Sequence, residues 1–326
     1  MSDAHDRREF LGLAGAVGAA VAAGVLAPYD AEASTKKGET EKYAWMYGCL
    51  VDTTQCVGCR SCEEACNIAN ELPKPDKSFD DPTVLNEMRR PSPGAFTVVN
   101  RYYPNPPNVH NELEPVHVKI QCMHCNDPAC VSACIVAAME KTEQGPVVYH
   151  AEKCIGCRYC MVACPFQIPA YEYFNSLTPM VMKCHFCYEK YSSKGEWPAC
   201  ARSCPREAIQ FGRREDLMVL AKSRIRKFPG KYISKVYGET EVGGTGWMYL
   251  SGVDFVRIGL LELPPTPIPN LSETLQHNIF RYFLPPLVLY AFLAISMFFN
   301  KQHPGEDEFQ SGLKEDKVKE RKEVRK

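Results

Sequence analysis

The chain has 326 residues, with 38 basic and 39 acidic side chains and a net charge of −1. That balance argues against nucleic acid as a partner, which would draw a basic surface, and the hydrophobic and charged shares are those of an ordinary globular protein. The 17 cysteines are too sparse for a secreted disulfide scaffold, which runs above about 8–10% cysteine.

Residues 1–33 read as a targeting segment. Arg7-Arg8-Glu9-Phe10-Leu11 is a twin-arginine pattern, Leu11 to Ala27 is a mild apolar stretch, and Ala31-Glu32-Ala33 fits a cleavage site before Ser34. The first cysteine set is Cys56, Cys59, Cys62 and Cys66. Residues 67–121 are rich in Pro and Asn and read as an irregular insertion, with short strands at Ala95–Asn100 and Pro115–Ile120. The second set, Cys122, Cys125, Cys130 and Cys134, precedes a turn and strand at Gly145–Tyr149. The third is Cys154, Cys157, Cys160 and Cys164, and the fourth is Cys184, Cys187, Cys200 and Cys204; each of these two is followed by a proline.

Past Pro205, Glu215–Lys227 is expected to be helical, Gly243-Gly244 to turn, and Trp247–Leu250 to form a strand. Leu261–Pro269 reads as a linker. Tyr282–Phe299 is an uncharged, largely apolar run of a length that borders on a spanning helix. Pro285-Pro286 interrupts it, so the helix is expected to begin near Ser272, a suitable N-cap, with Arg281 snorkelling to the interface. The organisation expected is a leader (1–33), a cluster domain (34–270), a membrane-anchoring helix (271–300) and a charged cytoplasmic tail (301–326) whose basic residues favour the inner side.

The first and third sets run C-x2-C-x2-C-x3-C, the bacterial ferredoxin spacing for a [4Fe–4S] cluster. Two intervening residues let a tight loop wrap successive irons, and the last cysteine, on a turn expected to start a helix, ligates the neighbouring cluster. The other two sets carry longer insertions but keep the C-x3-C ending. Zinc takes C-x2-C pairs too, but separates two such pairs by a longer span. The four sets imply four clusters in an α+β protein built from two ferredoxin-type modules, with the cysteine loops as the internal repeat. Clusters are assembled in the cytoplasm, and the twin-arginine route exports folded proteins, so leader and cysteines support each other.

Cys49 belongs to no set and reads as a buried thiol; His124 and His185 read as hydrogen-bonding loop residues. Arg60, Lys153, Arg158 and Lys183 lie in or beside the loops, placed either to raise cluster potentials or to be solvated surface charge. His277, before the apolar run, reads as an interfacial histidine. No phosphate loop, nucleophile triad or His-based metal motif is present.

Residues 121–134 (QCMHCNDPACVSAC), 153–166 (KCIGCRYCMVACPF), 183–190 (KCHFCYEK) and 199–212 (ACARSCPREAIQFG) resemble the four-cluster iron–sulfur subunits of respiratory complexes. With the leader, the Tyr237-Gly238-Glu239…Gly243-Gly244 segment and the C-terminal helix, the chain is most similar to the exported subunit of hydrogenase-2-type nickel–iron hydrogenases. The resemblance implies nested ligand exchange. The first cluster would take Cys56, Cys59, Cys62 and Cys204; the second Cys66, Cys184, Cys187 and Cys200; the third Cys122, Cys125, Cys130 and Cys164; the fourth Cys134, Cys154, Cys157 and Cys160. Asn67 and Ile135 depart from the family by standing where a proline often follows the last cysteine. The function implied is an electron conduit, not a catalyst, on the periplasmic face of the membrane. Its partners would be a catalytic subunit (hydrogenase or molybdopterin type, or a multihaem cytochrome c) and a multi-span, quinone-interacting membrane subunit. The alternative from another class is a protein held by zinc or disulfides.

Overall fold

The structure, a computed structural model, describes residues 43, 45–107, 111–175, 180–275 and 284–301. The leader, its cleavage site, His277, Arg281 and the tail beyond residue 301 lie outside them. The described residues fall into two compact units, one ending at Pro269 and the other starting at Asn270.

In the first unit, strand β1 (Tyr47–Asp52) lies at the centre of a three-stranded sheet. It pairs antiparallel with β8 (Ile209–Arg213), Cys49 facing Phe211, and parallel with β9 (Trp247–Leu250), Cys49 facing Trp247. Its apolar run is continuous because both faces are buried. On one face Leu50, Met248 and Leu250 meet Leu217 and Ala221 of helix α5 (Arg214–Lys227). That helix carries Glu215 and Asp216 in its first turn and Arg224, Arg226 and Lys227 in its last, matching the helix dipole at both ends. On the opposite face Cys49, Val51, Trp247 and Tyr249 join the main core, which holds many of the cysteines.

The other strands form short antiparallel pairs between cysteine sets. β2 (Val98–Tyr102) with β3 (Val116–Ile120) leads into the second set, and β4 (Met139–Lys141) with β5 (Val147–Tyr149) joins the second to the third. β6 (Ala170–Tyr171) with β7 (Val181–Met182) joins the third to the fourth. Each set also carries a short helix: α1 (Ser61–Ala69), α2 (Ala129–Ser132), α3 (Tyr159–Ala163) and α4 (Ala199–Arg202). α1 packs on α4, and α2 packs on α3. Each helix pair thus joins two cysteine sets, the middle two within the outer two in chain order. The expected strands, turn and helix past Pro205 all form, with the pair around 95–120 shifted by up to three residues.

One expectation is corrected. The helices begin at or just before the third cysteine of each set, not after the fourth. C-x3-C is an i, i+4 spacing, so Cys62 and Cys66 both sit on α1, whereas Cys134, Cys164 and Cys204 lie just past their helices. The expected membrane-anchoring helix (271–300) is described only in part. Residues 270–275 are helical, and α6 (Leu284–Lys301) follows the undescribed 276–283. No helix among the described residues is long and apolar enough to cross a membrane. The 18 residues of α6 rise about 27 Å, under the roughly 30 Å hydrocarbon core, and the prolines fall inside its first turn, where a helix tolerates them.

Glu63 ties the first cysteine loop to this frame. Its buried carboxylate accepts from the Val99 N–H at 2.6 Å, from Arg60 Nη2 at 3.0 Å and from Arg89. Glu63→Ala leaves the buried Arg60 without its counter-charge and is expected to cost about 3–5 kcal/mol, read from the denaturant midpoint of the iron-loaded protein. A loss below about 1 kcal/mol would contradict this arrangement.

Candidate functional site

The cysteine loops share one backbone device. The second residue between the first two cysteines of every set has a positive φ: Gly58 at 73°, His124 at 48°, Gly156 at 72° and Phe186 at 60°. In the first and third sets the residue after the second cysteine does the same, Arg60 at 61° and Arg158 at 64°. These left-handed steps curl the chain so that backbone N–H groups face sulfur. The Gly156 N–H donates to Cys154 Sγ at 3.4 Å, and the Phe186 N–H to Cys184 Sγ at 3.3 Å. Past the fourth cysteine, Ala137, Gln167 and Glu207 are again left-handed. There the Ala138 N–H reaches Cys134 Sγ at 3.1 Å and the Ala208 N–H reaches Cys204 Sγ at 3.3 Å. Such donors favour the thiolate over the thiol.

The sets meet across the chain. Cys56, Cys59 and Cys62 line one cavity together with Cys204. Cys66 lines a neighbouring cavity with Cys184, Cys187 and Cys200. Cys125 and Cys130 lie within electrostatic reach of both Cys122 and Cys164, and Cys160 within reach of Cys134, Cys154 and Cys157. All 17 cysteines are free thiols. Among the described residues no three His, Cys, Asp or Glu side chains converge as a single-ion site.

The donor chemistry fits an iron–sulfur cluster. Burial pushes the Cys56 thiol up to about 11, with Cys204 and Cys59 adding repulsion against the lowering Gly58 N–H. Burial likewise pushes Cys184 and Cys130 up to about 12. Sulfurs crowded this way ionise together only when cationic iron enters, so metal uptake releases protons and stabilises the fold.

The charges near the loops separate into distinct roles. Arg60 is buried and paired with Glu63, so its charge is balanced locally. Arg158 is exposed and lies over the Tyr171 ring, and Lys153 is exposed. Lys183 is buried and donates to the carbonyls of Val147 and Cys184. His124 Nδ1 accepts from the Val147 N–H at 2.8 Å, and its burial, with Lys183 next, holds the ring well below the usual histidine range. Burial and then Lys183 take His185 down to about 3, so both rings are neutral loop supports. Cys49 is fully buried.

Lys119, on β3, carried no motif and was not singled out from sequence. It is 2% exposed and lines both cavities of the outer pair of sets. Burial pulls its ammonium down, but Cys200, Cys62 and Cys184 outweigh that and hold it above the usual lysine range.

Residues 115–214 match the 4Fe-4S dicluster domain family, a stretch that covers every cysteine from Cys122 to Cys204. A curated protein of Nitratidesulfovibrio vulgaris is 49% identical over 257 residues, 79% of this chain and 67% of that protein. The hydrogenase-2 operon protein HybA of Escherichia coli O157:H7 is 33% identical over 295 residues, 81% of this chain and 88% of HybA. The formate dehydrogenase-O iron-sulfur subunit of E. coli K12 is 34% identical over 284 residues, 84% of this chain and 89% of that subunit.

Gly58 tests the loop geometry. A Cβ there would sit 2.4 Å from the His117 ring at a φ of +73°, and the backbone strain alone costs about 1–3 kcal/mol. Gly58→Ala is expected to lower iron content by about four atoms per chain, whereas Gly94→Ala, which meets nothing within 4 Å, leaves it unchanged; equal iron in both would refute the loop's role. With its loops, cavities and relatives taken together, the chain belongs to the 4Fe-4S dicluster family of iron–sulfur subunits and holds multiple [4Fe–4S] clusters.

Proposed function

We propose that the chain is the electron-transfer subunit of a respiratory oxidoreductase and carries electrons through four [4Fe–4S] clusters. The observation that carries the reading is the meeting of cysteines distant in sequence around shared cavities. The ligand sets are Cys56, Cys59, Cys62 and Cys204; Cys66, Cys184, Cys187 and Cys200; Cys122, Cys125, Cys130 and Cys164; and Cys134, Cys154, Cys157 and Cys160. Neighbouring sets supply a route for hopping. The first two cavities share a wall at Lys119, Cys184 feels Cys122, and Cys130 feels Cys160. The clusters supply reversible one-electron storage. The protein holds the thiolates, excludes water and sets each potential through hydrogen bonds and buried charge.

The complex is read first as a membrane-bound nickel–iron hydrogenase, supported by the similarity to HybA. A formate dehydrogenase or related molybdopterin complex is the second reading, supported by a relative of 34% identity. The catalytic subunit delivers or takes electrons at one end. At the other, a quinone-reactive membrane subunit is supported by α6, on which Leu287, Tyr290, Leu293 and Met297 are exposed. The leader's Arg7-Arg8 supports a periplasmic position.

Anaerobically purified protein is expected to hold about sixteen irons and as many acid-labile sulfides per chain, with visible absorption bleached by dithionite. Cys204→Ser is expected to perturb the cluster held by Cys56, Cys59 and Cys62, leaving the one held by Cys154, Cys157 and Cys160 intact by electron paramagnetic resonance. Zinc without sulfide would overturn the reading. Co-purification of the native complex with hydrogen-uptake or formate-oxidising activity decides between the two complexes.

A further inference from the structure

Lys119 occupies an electrostatically demanding place. Its ammonium is buried, and no carboxylate pairs with it among the described residues. One hydrogen bond goes to Gln121 Oε1 at 2.8 Å, and the Trp247 ring lies 4.3 Å from Nζ. Gln121 is itself held by the Tyr249 hydroxyl at 2.7 Å, and that hydroxyl donates back to the Lys119 carbonyl at 2.8 Å. Thus the side chain is fixed from both ends. The strand sets its direction: Lys119 sits two residues from His117, on the same strand face, and the His117 ring packs against Gly58 of the first loop.

A buried cation without a counter-ion costs several kcal/mol, so an anion must face it. The negative charge available is that of the thiolates lining the two cavities that Lys119 walls, Cys56, Cys59, Cys62 and Cys204 on one side and Cys66, Cys184, Cys187 and Cys200 on the other. Arg60 and Arg206 also line the first cavity, but Arg60 is already balanced by Glu63 and Arg206 is exposed to solvent. Every electron that a cluster accepts adds one negative charge, and a fixed ammonium nearby favours that reduced state in a low-dielectric interior.

The geometry points to Lys119 as a shared potential-setting residue: one buried positive charge that raises the reduction potentials of both clusters flanking it, leaving the other two clusters untouched. This inference rests on the four-cluster reading above. Lys119 is a positioning residue here, acting through charge and not as an iron ligand.

The test is a redox titration of the anaerobically purified full chain, followed by electron paramagnetic resonance, for the wild type and for Lys119→Met and Lys119→Arg. Lys119→Met is expected to lower the reduction equilibrium constant of two clusters by about tenfold or more, equal to about 59 mV per tenfold for one electron, with the other two unmoved. Lys119→Arg is expected to restore both. Lys119→Gln replaces Lys119→Met if that variant holds no iron. Four wild-type signals with no selective shift, or with all four shifted alike, would overturn the inference alone. Loss of iron in all three variants would assign Lys119 a structural part and overturn it as well. Fewer than four clusters in the wild type would instead sink the proposed function.

Discussion

Four sulfurs face one small space only if the chain between them reverses direction within two residues. The left-handed residue before the second cysteine of each set performs that reversal, and the rest of the site follows from it. Glycine takes this conformation without strain, and it does so at Gly58 and Gly156. His124 and Phe186 take it at a cost and are held by their surroundings. His124 is locked by the Val147 N–H, and Phe186 is packed edge-on against both His124 and Trp247. The same reversal turns N–H groups toward sulfur, so the geometry that gathers the ligands also tempers their charge.

Gathering one loop is a local matter, whereas pairing two loops is not. The first and fourth sets are brought together because β1 runs into the first and β8 leaves the fourth, and these strands pair antiparallel. The parallel partner β9 closes the sheet and brings Trp247 to the cavity wall. With one sheet face sealed by α5, the opposite face is left for sulfur. The middle sets need no such long-range strand, because β4 and β5 already connect them. Helix contacts complete both unions, α1 on α4 and α2 on α3.

Much of this was legible from residues. The C-x2-C-x2-C spacing identified the chemistry because few metals use three cysteines so closely strung. Alternation and turn residues located β3, β5, β9 and α5 to within a few positions. The i, i+4 spacing of C-x3-C already implied a helix through the third cysteine, a signal that the ferredoxin analogy obscured. Arg60-x-x-Glu63 is likewise legible as an i, i+3 ion pair, but the sequence left Arg60 between a potential-raising charge and a solvated one, whereas its burial with Glu63 balances it. The pairing of sets came only from family resemblance, since strand pairing over such a separation leaves no spacing behind. Lys119 left no trace, because a lysine in a VHVKI strand ordinarily points to water.

Lys119, Lys183 and Arg60 show how the interior handles charge. Arg60 is cancelled by Glu63, Lys183 is solvated by two backbone carbonyls, and Lys119, held by Gln121, lines two thiol cavities at once. Nested pairing underlies this account, and crystallography of anaerobically prepared protein with anomalous data at the iron edge tests it most directly. The account predicts four iron peaks, each ringed by three cysteines from one set or its partner and a fourth from across the pair, with Cys204 beside Cys56 and Cys66 beside Cys184. Any peak held by the four cysteines of a single contiguous set would contradict it.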